Sequence, residues 1–238
     1  MKKKQNILIN GCSQGLGLDF YKYLQKKFNL FGVSSKKTKN KDIFYYDPIK
    51  NPVPSKELIK GIESCKIDHI IHCVGGGFKK YDKFLELKEL IELFNVNFFS
   101  IYEINKIILK NKAKSKKINI IMIGSIAALE DKASLGYSAA KSVLINYNKN
   151  LAAKFFKDNV VTKLLIPGSF ISTNGSMSRL KKNKPRIYKN IESLLPNGKF
   201  QKSNDIIKLC ELLLKKETDF LNGSYLSMSN LESKSIFL

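Results

Sequence analysis

Short apolar runs alternate with longer amphipathic ones along the whole of this 238-residue chain. That alternation constrains the fold more than any other feature. A run of about four to eight apolar residues suits a buried strand; a longer run with apolar residues three and four apart suits a helix lying against it. "QNILIN" (5–10), "NLFGVSS" (29–35), "DIFYY" (42–46), "IDHIIHCV" (67–74), "KINIIMIGS" (117–125), "VVTKLLIP" (160–167) and "GSYLSMS" (223–229) read as strands. Helices are expected at 15–28, with Leu16, Phe20, Tyr23 and Leu24 on one stripe, and at 55–64 behind the cap Ser55. Others are expected from about Leu87 to Leu109, from Tyr137 to Phe156, and at 204–216. Six or seven strands alternating with helices predict an α/β fold: a doubly wound parallel sheet, helices on both faces, ligands bound beyond the carboxyl ends of the strands. With 43% apolar residues, no internal repeat and no linker, one domain over 1–238 is expected. Residues 169–200, rich in Lys, Ser and Asn, read as less regular.

The net charge is +22, yet only Arg179 and Arg186 among 42 basic residues are arginine. Phosphate and base recognition favours the planar guanidinium fork, so lysine spread along the whole chain reads as generic surface charge. Nucleic acid is therefore not expected as a partner, although the positive field would attract anionic ligands or an acidic protein. Cys12, Cys65, Cys73 and Cys210 are scattered without CxxC spacing, which predicts reduced thiols in a cytoplasmic setting. His69 and His72 are the only histidines, and positions three apart on a strand face opposite ways, so no metal site is expected. No stretch approaches the ~20 apolar residues of a spanning helix, so no membrane association is expected.

"NGCSQGLG" (10–17) falls between the first strand and the first helix, where a dinucleotide-binding turn belongs. Gly11 would allow the tight exit from the strand, Gly15 the approach of a pyrophosphate, and Gly17 close packing of helix on sheet. The helix N-terminus would offer free N–H groups to the phosphates. The spacing is GxxxGxG, and taken alone it also fits an ordinary strand-to-helix turn. The end of the second strand carries Ser34, Ser35, Lys36 and Lys37 and no carboxylate. An acid there would bond a ribose 2′-hydroxyl and repel a 2′-phosphate, so its absence favours NADP(H) over NAD(H).

"LGYSAAKSVL" (135–144) sets Tyr137 and Lys141 on one face of a helix, one turn apart, with Ser138, Ala139 and Ala140 between. Alone, the pair fits a surface tyrosine over a lysine stem; it also fits an acid–base device, since a neighbouring cation favours the phenolate.

These segments together resemble the short-chain dehydrogenase/reductase family, along essentially the whole chain. "NGCSQGLG" looks like its cofactor motif and "YSAAK" is similar to its YxxxK motif. Ser125 stands 12 residues before Tyr137, Asn97 in "FNVNFFS" matches a helix asparagine of the family, and Asp47 resembles its adenine-contacting acid. "PGSFIS" (167–172) matches the segment bordering the nicotinamide. Two stretches depart from the family pattern. His72-Cys73-Val74-Gly75 stands where Asn-Asn-Ala-Gly is usual, and Ser229-Asn230-Leu231 where Asp-Gly-Gly is usual.

The resemblance implies a Rossmann-type domain with a substrate lid at about 169–200, and an NADPH-dependent carbonyl reductase working by hydride transfer. Tyr137 would protonate the substrate oxygen, Lys141 would ease ionisation of the phenol and hold the nicotinamide ribose, and Ser125 would bind the carbonyl. Asn97 would fix a water in a proton relay. The cofactor would lie along Gly11, Ser13, Gly15, Leu16, Gly17, Ser35, Lys36, Asp47, Val74, Gly75, Tyr137, Lys141, Pro167, Gly168 and Ile171. Reduction of 3-oxoacyl groups on a carrier protein is the best-known role of such short members, and Arg179 and Arg186 would then meet an anionic substrate. A sugar or other small polar alcohol or ketone is the alternative substrate, and a non-catalytic NADP-binding sensor or structural subunit the alternative role. The helix after Asn97 is apolar around much of its circumference, from Phe98 and Phe99 to Ile107 and Ile108, which predicts a homo-oligomer, dimer or tetramer.

Overall fold

In the computed structural model residues 4–78, 83–131 and 133–232 are described. The strands are β1 (Asn6–Asn10), β2 (Asn29–Ser34), β3 (Ile43–Tyr45), β4 (His69–His72), β5 (Ile118–Ile123), β6 (Val160–Pro167), β7 (Phe170–Ile171), β8 (Gln201–Lys202) and β9 (Tyr225–Met228). Seven form one sheet in the order β3-β2-β1-β4-β5-β6-β9, and every pairing in it is parallel. The order reverses between β1 and β4, which opens a crevice at the carboxyl ends of those two strands.

Both faces of the sheet are covered, which is why the strands read as nearly continuous apolar runs. Alternate residues of β1 serve opposite layers. Ile7 and Ile9 pack with Phe20 and Leu24 of α1 (Gly15–Leu24) and with Ile206 and Cys210 of the helix at Ser203–Leu213. Leu8 packs with Leu58 and Ile62 of α2 (Lys56–Ser64), Ile101 and Ile104 of the helix at Ser100–Lys110, and Leu144 of the helix at Leu135–Lys154. Each fully buried side chain of this size contributes about 1.5–3 kcal/mol by leaving water.

Three expectations need correction. The first helix stops at Leu24, and the remainder to Phe28 is turn. The helix expected from Leu87 to Leu109 is three pieces: α3 (Leu87–Phe94), a π-helical segment Asn95–Phe99, and α4 (Ser100–Lys110). The extra residue per turn re-aims the side chains there, and Asn97 is one of them. The segment 169–200 is largely helical, with β7, α6 (Ser176–Asn183) and α7 (Pro185–Leu194) before β8. Pro185 begins α7, where its missing N–H has no cost. Tyr188, Leu195 and Phe200 form a small separate core beneath these helices, with the Tyr188 and Phe200 rings 4.8 Å apart. The helices already placed on the two faces of the sheet are α5 (Leu135–Lys154) and α8 (Ser203–Leu213). Among the described residues no helix is long and apolar enough to cross a membrane.

The two histidines end up with separate partners. His69 Nδ1 faces Asn119 Nδ2 at 3.1 Å. His72 Nδ1 accepts from Asn10 Nδ2 (3.1 Å), while its Nε2 donates to Asn105 Oδ1 (2.9 Å), which assigns the neutral Nε2–H tautomer. Asn105 Nδ2 continues to the Tyr147 hydroxyl at 3.1 Å. His72 is fully buried and ties β1, β4, α4 and α5 together. This network occupies the place where the family usually carries an asparagine.

Candidate active site

The glycine turn leaves β1 at the switch point. Gly11 has φ +92°, and a Cβ there would meet Val74 Cγ1 and N at 2.9 Å, so the β1 and β4 exits touch. A Cβ on Gly17 would run into the Gly11 carbonyl oxygen, which sets α1 close against the turn. The first turn of α1 carries no acidic residue, and the N-cap Gln14 makes no side-chain capping bond, so the positive helix end stays available to an anion. Leu16 and Gly17 are buried under this turn, and Ser13 is half-buried beside it. The turn therefore fits a dinucleotide diphosphate. One N–H is already engaged: Gly15 donates to the Thr173 carbonyl at 2.8 Å.

The expected adenosine end lies at β2 and β3. Ser34 Oγ accepts from the Lys36 N–H (2.9 Å) and donates to the Lys36 carbonyl (3.0 Å), folding Ser34–Lys36 into a tight turn with Ser35 and Lys36 exposed. Asp47, just after β3, accepts from the Ile49 N–H at 3.2 Å, so its carboxylate also shapes a turn.

The remaining side chains converge at the carboxyl ends of β4 and β5. Tyr137 and Lys141 lie in the first two turns of α5. Lys141 is 2% exposed, and its Nζ donates to the carbonyls of Ile123 (3.2 Å) and Val74 (3.3 Å), bridging the two strand ends. Ser125, just beyond β5, caps a short 3-10 turn by accepting from the Ala127 N–H at 3.2 Å. Asn97 clamps the loop after β4. Its Oδ1 accepts from the Gly76 N–H (3.1 Å), and its Nδ2 donates to the carbonyls of Gly76 (3.1 Å) and Leu93 (2.9 Å). Gly75 sits between these groups at φ +151°. A Cβ there would lie 2.7 Å from Lys141 Nζ and 2.9 Å from Asn97 Oδ1.

The electrostatics differ from the expectation that Lys141 eases ionisation of the phenol. Burial raises the Tyr137 pKa, and what opposes the rise is the neighbouring Ser125 hydroxyl. Lys141 spends its ammonium on two carbonyls, and its own pKa falls to about 8 because it is buried. Sequence spacing shows that two residues share a helix face, not how deeply each is buried. At pH 7 the arrangement is a protonated phenol beside the Ser125 hydroxyl, one helical turn from a mostly protonated buried lysine: a group able to donate a proton, with hydrogen-bonding groups near it.

Next to β5 in the sheet, Pro167 ends β6 and Gly168 follows. A Cβ on Gly168 would meet Glu232 Oε2 at 2.6 Å and the Ser229 carbonyl at 2.9 Å. Glu232 accepts from the Ser169 N–H (2.6 Å) and Oγ (2.8 Å), so the Ser229–Leu231 stretch, which departs from the family pattern, turns back onto this loop. Ile171 lies in β7, half-buried. Arg179 in α6 and Arg186 in α7 are exposed; Arg179 donates to the Asn174 carbonyl. Among the described residues no hydrogen bond or ion pair joins either arginine to the Tyr137 cluster.

Residues missed from the sequence include Gly76, held by Asn97, and Gly136, where a Cβ would meet Leu85 Cδ1 at 2.8 Å and Leu93 Cδ1 at 3.0 Å. A glycine inside a helix beside Tyr137 is a costly choice, and that cost was the available signal for close packing. Thr173 and Asp19 were also missed.

Known proteins with this organisation are numerous. The chain is 27% identical over 236 residues to the 3-oxoacyl-[acyl-carrier-protein] reductase FabG of Buchnera aphidicola subsp. Schizaphis graminum, covering 93% of this chain and 94% of that protein. It is 26% identical over 181 residues to a 7alpha-hydroxysteroid dehydrogenase of Paraclostridium sordellii, covering 73% of this chain and 66% of that protein. An oxidoreductase structure from Burkholderia thailandensis superposes with a TM-score of 0.82 at 17% identity, covering 96% of this chain and 92% of the other. The structure of ElxO with NADP bound superposes at 0.80 and 21% identity, covering 96% and 98%; such likenesses establish the fold. The family model described as short chain dehydrogenase matches residues 5–184, and with the parallel sheet and the glycine turn in place the chain belongs to that family of oxidoreductases.

Proposed function

We propose that this protein is an NADP(H)-dependent carbonyl reductase whose substrate is a 3-oxoacyl thioester on an acidic carrier protein. The observation that carries the reading is the convergence of Tyr137, Ser125 and buried Lys141 at the carboxyl ends of β4 and β5, where Val74 also packs against the Gly11 turn. The 27% identity to a named 3-oxoacyl-[acyl-carrier-protein] reductase over nearly full length supports the substrate class.

Gly11, Ser13, Gly15, Leu16 and Gly17 would hold the diphosphate at the positive end of α1. Ser35 and Lys36 would receive a 2′-phosphate, and Asp47 would border the adenine. Val74, Gly75, Pro167, Gly168 and Ile171 would flank the nicotinamide, which supplies the hydride. Ser125 orients the substrate carbonyl by hydrogen bonding. Tyr137 gives its phenolic proton to the carbonyl oxygen as negative charge develops there; its raised pKa keeps that proton in place until then. Lys141 holds the ribose hydroxyls and fixes the ends of β4 and β5. Asn97 holds the Gly76 loop, and its relay through a water to Lys141 belongs to this reading. The chain is one domain, with 169–200 as the lid, in a cytoplasmic setting.

The exposed rings of Phe99 and Tyr102, packed at a tilt against Phe98 and Tyr147, support a homo-oligomer formed through α4 and α5. Arg179 and Arg186 on the exposed lid, with a net charge of +22, support an acidic carrier. The test is consumption of NADPH and of NADH by purified protein with a 3-oxoacyl thioester, free or carrier-bound. Turnover with NADPH is the expected result, with KM for the carrier-bound form raised by Arg179→Ala plus Arg186→Ala. No turnover with any carbonyl in a broad panel would refute the reading.

A further inference from the structure

The lid lies directly on the glycine turn. The Gly15 N–H, one of the groups that would meet a diphosphate, donates to the Thr173 carbonyl at 2.8 Å. The Thr173 N–H donates in turn to Asp19 Oδ2 at 3.0 Å, so one residue of the lid is held through both of its backbone polar groups by α1 and its turn. The contact has a firm base. Ser172 is buried, and its carbonyl accepts from the Gly175 N–H (3.0 Å) and from Ser178 Oγ (2.6 Å) at the start of α6. A Cβ on Gly175 would run into the Ser172 hydroxyl and stand 3.2 Å from the Ser172 carbonyl oxygen, so the strap is closely packed here. Thr173 itself is exposed, so both of its bonds to α1 compete with water and can be released.

We propose that Asp19 is a positioning residue that holds the Ser172–Gly175 strap on the dinucleotide turn, so that strap and cofactor diphosphate compete for the Gly15 N–H. The Thr173 carbonyl stands where an anionic oxygen would otherwise satisfy the helix end, and the cofactor must displace it to settle in the turn. The strap thus weakens cofactor binding by the free energy of its own contacts, and the segment that leaves Gly15 is the one that also forms the lid. This inference rests on the proposed dinucleotide site.

The experiment is fluorescence titration of NADPH with the wild-type protein, Asp19→Ala and Asp19→Asn. Alanine removes the grip on the Thr173 N–H; asparagine keeps an oxygen acceptor but removes the charge. The expected result is an NADPH Kd lowered roughly three- to tenfold in Asp19→Ala, the range set by one exposed hydrogen bond, with Asp19→Asn close to wild type. Equal tightening in both variants would overturn the inference, because it would mean that Asp19 merely repels the cofactor phosphates. An unchanged or weaker Kd in Asp19→Ala, beside firm binding to the wild type, would overturn the strap and leave the cofactor site standing. No dinucleotide binding to any of the three proteins would overturn the proposed function, and the strap with it.

Discussion

Gly75→Ala perturbs the point at which the candidate site is most tightly built. A Cβ at that position would stand 2.7 Å from Lys141 Nζ, 2.9 Å from Asn97 Oδ1 and 3.2 Å from Lys141 Cε. The backbone there has φ +151°, a region that L-residues rarely adopt. Holding alanine in such a conformation costs about 1–3 kcal/mol. Forcing a methyl group against two buried polar side chains costs about 1–3 kcal/mol more, because neither can yield without losing hydrogen bonds, Lys141 to the carbonyls of Val74 and Ile123 and Asn97 to Gly76 and Leu93. The sum, about 2–6 kcal/mol, corresponds to a fall in Tm of roughly 4–24 °C for a chain of this length. Where the protein remains folded, a Lys141 displaced by about 1 Å should lower kcat/KM by about a hundredfold. Gly77→Ala is the internal control, since its Cβ would meet only Tyr137 Cγ, at an ordinary 3.9 Å, and its Tm should stay within about 2 °C of wild type. Differential scanning calorimetry and steady-state NADPH oxidation on the two variants make the comparison. A Gly75→Ala protein that melts and turns over like wild type would refute the packing of Lys141 and Asn97 around this residue.

Acid should destabilise the protein early. Burial pushes His69 and His72 down to about 4, below their ordinary value, so the unfolded chain binds more protons between pH 4 and 6.5 and stability falls as pH drops through that window, by up to about 3 kcal/mol per histidine. Urea melts at pH 7, 5.5 and 4.5 check this, and His72→Leu, which leaves Asn10 and Asn105 without their partner, should cost a further ~2–4 kcal/mol at pH 7. At the other end, Lys163 is buried in β6, donates to the Leu213 carbonyl (2.7 Å) and to Thr218 Oγ1 (3.1 Å), and like Lys141 falls to about 8. The unfolded state therefore holds more protons between pH 8 and 10.5, and both lysines make stability rise with pH over that window; Lys163→Met should flatten the rise. In activity the sign reverses for Lys141: kcat/KM should decline above about pH 8 as its charge is lost.

The parallel order of the sheet was legible because its strands are buried on both faces and its helices are not: Ile7-Leu8-Ile9 against the stripe of Leu16, Phe20 and Leu24 settles two elements and the turn between them. The segment 169–200 hid its helices because they are short and set among lysine and asparagine: α6 carries only Met177 and Leu180 as apolar residues, and the stripe of Ile187, Tyr188, Ile191 and Leu194 in α7 spans barely two turns, with Pro185 marking its start. The π-helical segment at Asn95–Phe99 hid because five residues are too few to show a period of their own between two helices. Within the site, the pairing of Tyr137 with Lys141 followed from helical geometry. The depth of Lys141 did not, because it depends on carbonyls from two other elements, and the grip of Asp19 on Thr173 spans 154 residues of chain.

The most direct measurement is single-turnover hydride transfer from bound NADPH to a 3-oxoacyl thioester in wild type and in Tyr137→Phe, with NADPH affinity measured on both. The expected result is loss of transfer by several powers of ten with Kd for NADPH changed by less than about threefold, since the phenol donates the proton while it is one of many residues that would hold the cofactor. Transfer at the wild-type rate in Tyr137→Phe would contradict the assignment of this hydroxyl as the proton donor, and with it the reading of the crevice as a carbonyl reductase site.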